Sequence, residues 1–416
     1  MINIQDPKPF LISLFDQAVS AADPMKVVAE HLPPKPKGRF LVIGAGKASA
    51  RMAEAVEAHY GPCEGYVITR YGYGRQTQLI EIVEASHPVP DAAGETATRH
   101  LMDLVSDLGP DDTVLALISG GGSALLCAPA DGLSLQDKMD VNTALLASGA
   151  PISEMNTIRK RLSRVKGGKL AAACHPARLI TLLISDVPGD DPSLIASGPT
   201  VADPSSAKDA LDILDKRYIA LPAHVREIIE ASGHGLTDLP NAETHIIAAP
   251  SQSLSKAAAI APDCDVRILG DALEGEARDL AQSQAALALD IQANMSPNDK
   301  PVLLLSGGEC TVTRRGNGVG GPNAEYVLAA TIALDGAKGI HVIACDTDGV
   351  DGAAEVAGAY AGPHTLEKAK AIGVSATEAL EINDAHSFFN KLDDQIVPGP
   401  TLTNVNDFRA ILIIKA

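Results

Sequence analysis

A chain of 416 residues, 46% hydrophobic and 21% charged, is long enough for two or three globular domains at about 150 residues each, which excludes a single small module and a mainly disordered chain. Its 34 Lys and Arg against 52 Asp and Glu leave a net charge of −18, which disfavours nucleic acid and anionic membranes as partners, and 3% aromatics with no Trp removes the usual base-stacking platforms. Six cysteines stand singly without zinc-like spacing, no basic leader precedes an apolar stretch, and no apolar run reaches the ~20 residues of a membrane span, so reduced, buried thiols and a cytoplasmic location are expected.

Short apolar runs at 40–43, 66–69, 113–118, 179–185, 244–249, 266–269, 302–305, 340–345 and 410–414 alternate with stretches of helical period, the pattern of an α/β chain with buried parallel strands. Asp91 and Ser134 are suited to cap helices over 92–107 and 135–147. A polar, Gly-containing segment at 232–241 places a boundary between domains 1–236 and 237–416. Two strands break into Ser-Gly-Gly, at 119–121 and 306–308, a weak internal echo.

Ligands of open α/β sheets bind beyond the carboxyl ends of the strands, so the loops after each run are the candidates. After the first run, Gly44 and Gly46 let backbone N–H groups approach an anion, and Lys47 sits against the positive end of a helix dipole unless an anion is near. The alternative is a solvated lysine on a glycine turn. Ser119, Gly120, Gly121, Gly122 and Ser123 read as a phosphate cradle, because three consecutive glycines after a buried strand carry an entropy cost that a plain turn does not require; a nucleophile elbow is disfavoured, since G-x-S-x-G is absent. Between Asn156 and Lys169 lie Arg159, Lys160, Arg161, Arg164, Lys166 and Lys169 with no acid, the one dense cationic patch of an acidic chain. His87, in a stiff proline turn, is more simply a packed loop histidine than a cleft residue.

Two acidic loops, Asp186/Asp190/Asp191 and Asp346/Asp348/Asp351, suit Mg²⁺, with Asx-turn capping as the alternative for individual aspartates. Ser306, Gly307, Gly308 and Glu309, followed by Gly318, Gly320, Asn323 and Glu325 in a glycine-rich stretch, read as a mobile, ligand-ordered loop leading into a helix. Glycine cradles, a cationic patch and paired acidic loops are the parts phosphoryl transfer needs. The expectation is ATP phosphates on the glycine loops, Mg²⁺ on Asp186, Asp190, Asp346, Asp348 and Asp351, Lys47 neutralising the transferring phosphoryl, and Asn156, Arg159, Lys160 and Lys166 holding an acidic small-molecule substrate. Lys47, Asp186 and Arg159 are the expected catalytic residues.

GAGKAS at 44–49, SHPVPD at 86–91, SGGGSALL at 119–126, NTIRKRLSRVKGGKLA at 156–171, SDVPGDDPSLIASGPT at 185–200, SGGE at 306–309 and DTDGVDG at 346–352 together resemble the class II glycerate 2-kinase family nearly end to end. The resemblance implies ATP- and Mg²⁺-dependent phosphorylation of D-glycerate to 2-phosphoglycerate. It also implies a cleft between two three-layer α/β/α domains with mostly parallel sheets, a Rossmann-like one at the N-terminus and a MOFRL-type one at the C-terminus. One motif departs: where the family reads G-G-R-N-Q-E, this chain has Gly320-Gly321-Pro322-Asn323-Ala324-Glu325, which lacks the arginine. Two other readings are an NAD(P)H-dependent hydroxypyruvate reductase, with Arg70 facing an NADP 2′-phosphate, and a nucleotide-sensing regulator. A homodimer stays open.

Overall fold

Strands form where the apolar runs lie. In the computed structural model, which describes residues 4, 6–36, 38–352 and 354–416, six of them are β1 Phe40–Ala45, β2 Glu64–Arg70, β3 Ile80–Ala85, β4 Thr113–Ile118, β5 Arg178–Ile184 and β6 Ala242–Ala248. They form one sheet in the order β3-β2-β1-β4-β5-β6, and the pairings β3/β2, β2/β1, β1/β4 and β4/β5 are parallel. Helix Ser49–Tyr60 carries the chain from β1 to β2, and helix Ala92–Leu104, capped by the Asp91 carboxylate accepting from Gly94 N, carries it from β3 to β4. This is the Rossmann-like order expected, and it reverses between β1 and β4. The carboxyl ends of those two strands lie side by side, Ala45 paired with Ile118. Such a switch point opens the crevice in which ligands bind.

Four more helices, Leu135–Ala147, Ile152–Arg161, Ala207–Lys216 and Ala223–Ala231, pack on one another around Val141, Leu145, Ile158, Leu214 and Ile229. Ser134 and Asp137 make a reciprocal capping box at the start of the first.

Two compact units emerge: Pro24–Asp186 with Asp190–Ile247, and Ala248–Ala416 with Val187–Gly189 and the N-terminal segment up to Asp23. These differ from the expected division at 236/237. Strand β6 extends the first sheet past that point, and helix Pro7–Ala21 buries Phe10, Leu11, Leu14 and Phe15 against Leu254, Leu303, Leu305 and Phe408 of the second unit. Hydrophobic burial, blind to chain order, decides where that helix belongs.

The second unit contains β7 Asp265–Gly270, β8 Gly275–Glu276, β9 Val302–Gly308, β10 Cys310–Thr311, β11 Ile340–Asp346, β12 Gly358–Ala361, β13 Gln395–Ile396 and β14 Asp407–Ile413. Its main sheet runs β13-β12-β11-β14-β9-β7, with β8 and β10 paired separately. Val302, Leu304, Ile411 and Ile413 face helices Ala277–Asn294 and Pro322–Leu334, whereas Leu303, Leu305, Ala410 and Leu412 face helices Pro7–Ala21 and Pro250–Ala259. Three layers result, as expected.

A mostly parallel sheet is correct only for the first unit. In the second, β7/β9 is parallel, but β9/β14, β14/β11, β11/β12 and β12/β13 are antiparallel. A strand covered by helices on both faces reads as a continuous apolar run whichever way it points, so direction was not visible in the pattern. All six cysteines are free and buried, and no helix among the described residues is long and apolar enough to cross a membrane.

Candidate functional site

The first unit's site grows from the β1/β4 switch point. Gly46 has φ 148°, and a Cβ there would stand 2.0 Å from Ser119 Oγ, so the two loops touch without room for a side chain. Ser119 is fully buried and acts as a brace. Its Oγ accepts from Ala48 N at 3.0 Å, and Ser49 Oγ donates to the Leu117 carbonyl at 2.8 Å. Gly46 N donates to Ile68 O and Lys47 N to Gly120 O at 2.8 Å.

The amides expected to cradle a phosphate at Gly44 and Gly46 are therefore spent on neighbouring strands and loops, and Ser119 is not a ligand-facing residue. Packing, not anion binding, requires these glycines. The dinucleotide reading loses the same amides. Arg70, its 2′-phosphate partner, lies instead against Tyr73, 5.1 Å from the ring centre.

Gly121 behaves differently from its neighbours: Gly120 is buried, and Gly122 is buried too, where a Cβ would stand 2.8 Å from Ala196 Cβ and the N–H donates to Ser119 O. Gly121 has φ 79°, and a Cβ there would stand 3.0 Å from His87 Cδ2 and 3.3 Å from Lys47 Cγ. The loop thus has Lys47 and the His87 ring against it, so His87, read from sequence as a packed loop histidine in preference to a cleft residue, lies beside the site. At the far end of the loop, Lys166 Nζ donates to Ser123 O at 2.6 Å and lies 3.1 Å from Ser123 Oγ. Ser123 Oγ is 2.8 Å from Ser197 Oγ, which donates to Asn156 Oδ1 at 3.0 Å, and Arg159 continues the chain to Asn156 at 3.4 Å and to Asn142.

The cationic patch therefore splits. Lys160 and Arg161 are both buried on Asp203, Lys160 Nζ at 3.6 Å, and Arg161 also reaches Ser205. Lys160 is a structural ion-pair member, not an anion ligand. Helix Ile152–Arg161 ends before Arg164, which is exposed beside Asp131, so Arg164 leaves the patch. Lys169 Nζ donates to the carbonyls of Lys160 and Ser163. Only Arg159 and Lys166 turn toward the Ser123 loop. Burial pushes the Lys166 amine well below its usual 10.5, and Lys138 and Arg159 nearby depress it further. Asp203 was the missed acid: it lies far along the chain from the patch it neutralises.

Of the acidic loops, the first follows β5. Asp190 adopts φ 54°, rare outside glycine, and its Oδ1 is buried without a hydrogen-bond partner among the described residues. Asp191 Oδ1 closes an Asx turn on Ser193 N at 2.8 Å. Asp186 lies half-buried at the strand end.

In the second unit several expected ligands prove to be scaffold. Ser306, Gly307 and Gly308 belong to β9, paired with Arg409, Phe408 and Asp407. Arg409 donates to the Gly307 and Gly308 carbonyls, and a Cβ on Gly308 would stand 2.2 Å from Leu273 O. The echo with Ser119 is therefore not a shared loop, and Glu309 lies exposed just past the strand. The glycine-rich segment is pinned rather than mobile: Gly318 N donates to Ile382 O at 2.9 Å, and Arg315 N and Gly316 N both donate to Asn383 Oδ1. Cβ atoms on Gly318 and Gly320 would strike Asp384 and Asn383.

Asp351 caps helix Pro322–Leu334, Oδ1 accepting from Asn323 N at 3.0 Å and Oδ2 from Ala324 N at 2.8 Å, with His386 Nε2 at 3.1 Å from Oδ2. That commits Asp351 to structure, not metal. Asn323 Nδ2 donates to Asp407 at 2.6 Å, and Glu325 receives Arg278 at 2.6 and 2.9 Å and Asn383 at 2.9 Å, so both are scaffold too. Asp346 and Asp348 accept from the amides of Asp348 and Val350. Among the described residues no group of three or more His, Cys, Asp and Glu side chains is gathered as a metal cluster.

Residues 10–230 match the family described as a domain of unknown function, DUF4147, and residues 302–407 match the MOFRL family. Over 421 residues the chain is 37% identical to a Thermotoga maritima D-glycerate 2-kinase, covering all of both proteins. The crystal structure of the glycerate kinase of that organism superposes with a TM-score of 0.89 at 37% identity, over 99% of this chain and all of that one. The chain belongs to the class II glycerate 2-kinase family.

An Agrobacterium vitis protein with the provisional name hydroxypyruvate reductase is 49% identical over 411 residues, 96% of this chain and 93% of that protein. Within the glycerate 2-kinase family, this member starts helix Pro322–Leu334 with a proline where the usual motif has arginine. Pro322 occupies the first helical position, where a fixed φ and a missing N–H cost nothing. Arg314, one of the Arg314-Arg315 pair that precedes it in sequence, folds back on the carbonyls of Gly316 and Gly318, each at 3.3 Å.

Proposed function

We propose that this protein is a glycerate 2-kinase, transferring the γ-phosphoryl of ATP to the 2-hydroxyl of D-glycerate with Mg²⁺, in the cytoplasm. The observation that carries this is the pair of lysines on one loop, Lys47 against Gly121 and Lys166 on Ser123. Phosphoryl transfer asks for little covalent work and for preorganised positive charge at two places, the migrating phosphoryl and the anionic acceptor.

Lys47 supplies the first and compensates charge on the phosphoryl oxygens. Arg159 and Lys166 supply the second and hold the acceptor carboxylate through a planar fork and a point charge. Gly121, part-exposed and without a side chain, lets phosphate oxygens approach the backbone. The Asp190 Oδ1, buried without a hydrogen-bond partner among the described residues, is the kind of hard oxygen Mg²⁺ takes, so Asp190 with Asp186 would hold the ion, whose charge would offset that of the nucleotide phosphates.

The test is direct. Purified protein with D-glycerate, ATP and Mg²⁺ releases ADP and forms 2-phosphoglycerate, identified by ³¹P NMR. Hydroxypyruvate-dependent NADPH oxidation without ADP formation sinks the reading in favour of the reductase that the Agrobacterium protein's name suggests.

A further inference from the structure

We propose that Lys138, outside all the motifs of the sequence, completes a largely desolvated three-cation subsite with Arg159 and Lys166 that grips the carboxylate of the acceptor, a small 2-hydroxy acid. The nature of that acid rests on the kinase reading above; the subsite itself does not.

Lys138 lies on helix Leu135–Ala147, one turn past its capping box. Its Nζ is buried and meets no oxygen or nitrogen acceptor among the described residues; the thiol of Cys127, a weak acceptor, lies beside it. Asn142 follows four residues later on the same helix face and receives the Arg159 guanidinium, which sets Lys138 beside Arg159. Lys166 is the third member and, like Arg159, has no carboxylate hydrogen-bonded to it among the described residues: Ser123 receives Lys166, and Asn142 and Asn156 receive Arg159.

Acids near Lys138 are engaged elsewhere. Asp137 serves Ser134 and lies 3.1 Å from His224, Asp140 accepts from Gln136 at 2.7 Å, and Glu95 pairs with Arg99 at 2.6 Å. The buried Cys127 thiol is the remaining polar neighbour. Burial first, then Arg159, draws the Lys138 amine below its ordinary value, and Lys138 and Arg159 do the same to Lys166.

Buried charges in proteins are paired, as Lys160 and Arg161 are on Asp203 in the same unit. A buried Lys166, a Lys138 with a buried Nζ and a half-buried Arg159, with no carboxylate hydrogen-bonded to them among the described residues, form an arrangement that an incoming anion resolves. A carboxylate suits it, with two oxygens and about four lone-pair sites for three donors. Ser123 at the edge of the subsite puts the rest of the acceptor against the glycine loop on which Lys47 lies.

The experiment compares wild type with Lys138→Met and Lys138→Arg. Two readouts are taken: steady-state kinetics, and calorimetric binding of D-glycerate without ATP. Lys138→Met is expected to raise KM for D-glycerate and weaken its binding by at least about tenfold, the size of one charge-assisted contact, with KM for ATP unchanged. Lys138→Arg is expected to recover most of that loss. If Lys138→Met does not fold, Lys138→Gln makes the same comparison.

Unchanged KM and unchanged D-glycerate affinity in the charge-removing variant overturn the proposal and leave Lys138 as a packing neighbour of Cys127. Wild type that binds D-glycerate without turning it over sinks the kinase reading alone, and Lys138 is then decided by calorimetry. Wild type that binds neither D-glycerate nor hydroxypyruvate overturns both.

Discussion

Lys166 Nζ donates to the carbonyl of Ser123 at 2.6 Å, although 43 residues separate the two in sequence. That bond anchors the last residue of the Ser-Gly-Gly-Gly-Ser loop to the cationic segment and keeps a buried ammonium within reach of whatever the loop receives. Lys166→Met is expected to raise KM for D-glycerate by about tenfold or more while KM for ATP stays within about twofold. Equal loss for both substrates would show that the lysine supports the loop and does not bind the acceptor.

Lys47 is expected to act on the reacting phosphoryl. Lys47→Met is predicted to lower kcat by about 10²-fold, as loss of one preorganised charge contact does, with little change in Tm. Stopped-flow turnover and a thermal melt check this together; normal turnover makes Lys47 a bystander.

Two aspartates that look alike in sequence should part in the laboratory. Asp351→Ala removes the cap of helix Pro322–Leu334 and the partner of His386, at a cost of about 2–4 kcal/mol from the cap and the unmet buried donors. The folded fraction should keep its Mg²⁺ requirement. Asp190→Ala is expected to raise the Mg²⁺ needed for half-maximal activity at nearly unchanged stability. The reverse pattern would exchange their roles.

Acceptor binding should carry a proton signature. Burial depresses the Lys166 amine below 10.5, and a bound carboxylate favours its charged form. Binding therefore takes up protons, and D-glycerate affinity falls as pH rises through the depressed value. Calorimetry in two buffers of different ionisation enthalpy measures the uptake; none, across that window, contradicts it. Without ligand the sign for folding is opposite: between the depressed value and 10.5 the unfolded chain holds the extra proton, so this group makes stability rise with pH.

The glycine-rich segment gives a stability prediction. A Cβ on Gly316 would stand 2.5 Å from Ile382 Cα, a backbone atom that cannot swing aside. Gly316→Ala is expected to lose about 1–3 kcal/mol by overpacking, read in a denaturant melt. An unchanged midpoint would restore the view of this segment as a loose loop.

Period and punctuation carried much of the fold. The apolar runs became strands, Asp91 and Ser134 became caps, and the glycines after β4 became the loop between Lys47 and Lys166, because each depends on residues within a few positions. The family was legible because its motifs are long and in order.

Tertiary structure alone decided which of the similar residues do which work. In sequence, Arg159, Lys160, Arg161 and Lys166 are one cationic patch. Asp203, more than forty residues on, takes Lys160 and Arg161, while helix Leu135–Ala147 brings Asn142 and Lys138 to the others. Charge pairing acts through space, where chain separation has no weight, so the partner that neutralises one residue and the neighbours that leave another without one are both absent from any local pattern. The same holds for the strand directions of the second sheet and for the glycines of β9 and the 316–320 segment. There a neighbouring backbone from elsewhere in the chain, Leu273 or residues 382–384, sets the space that only glycine fits.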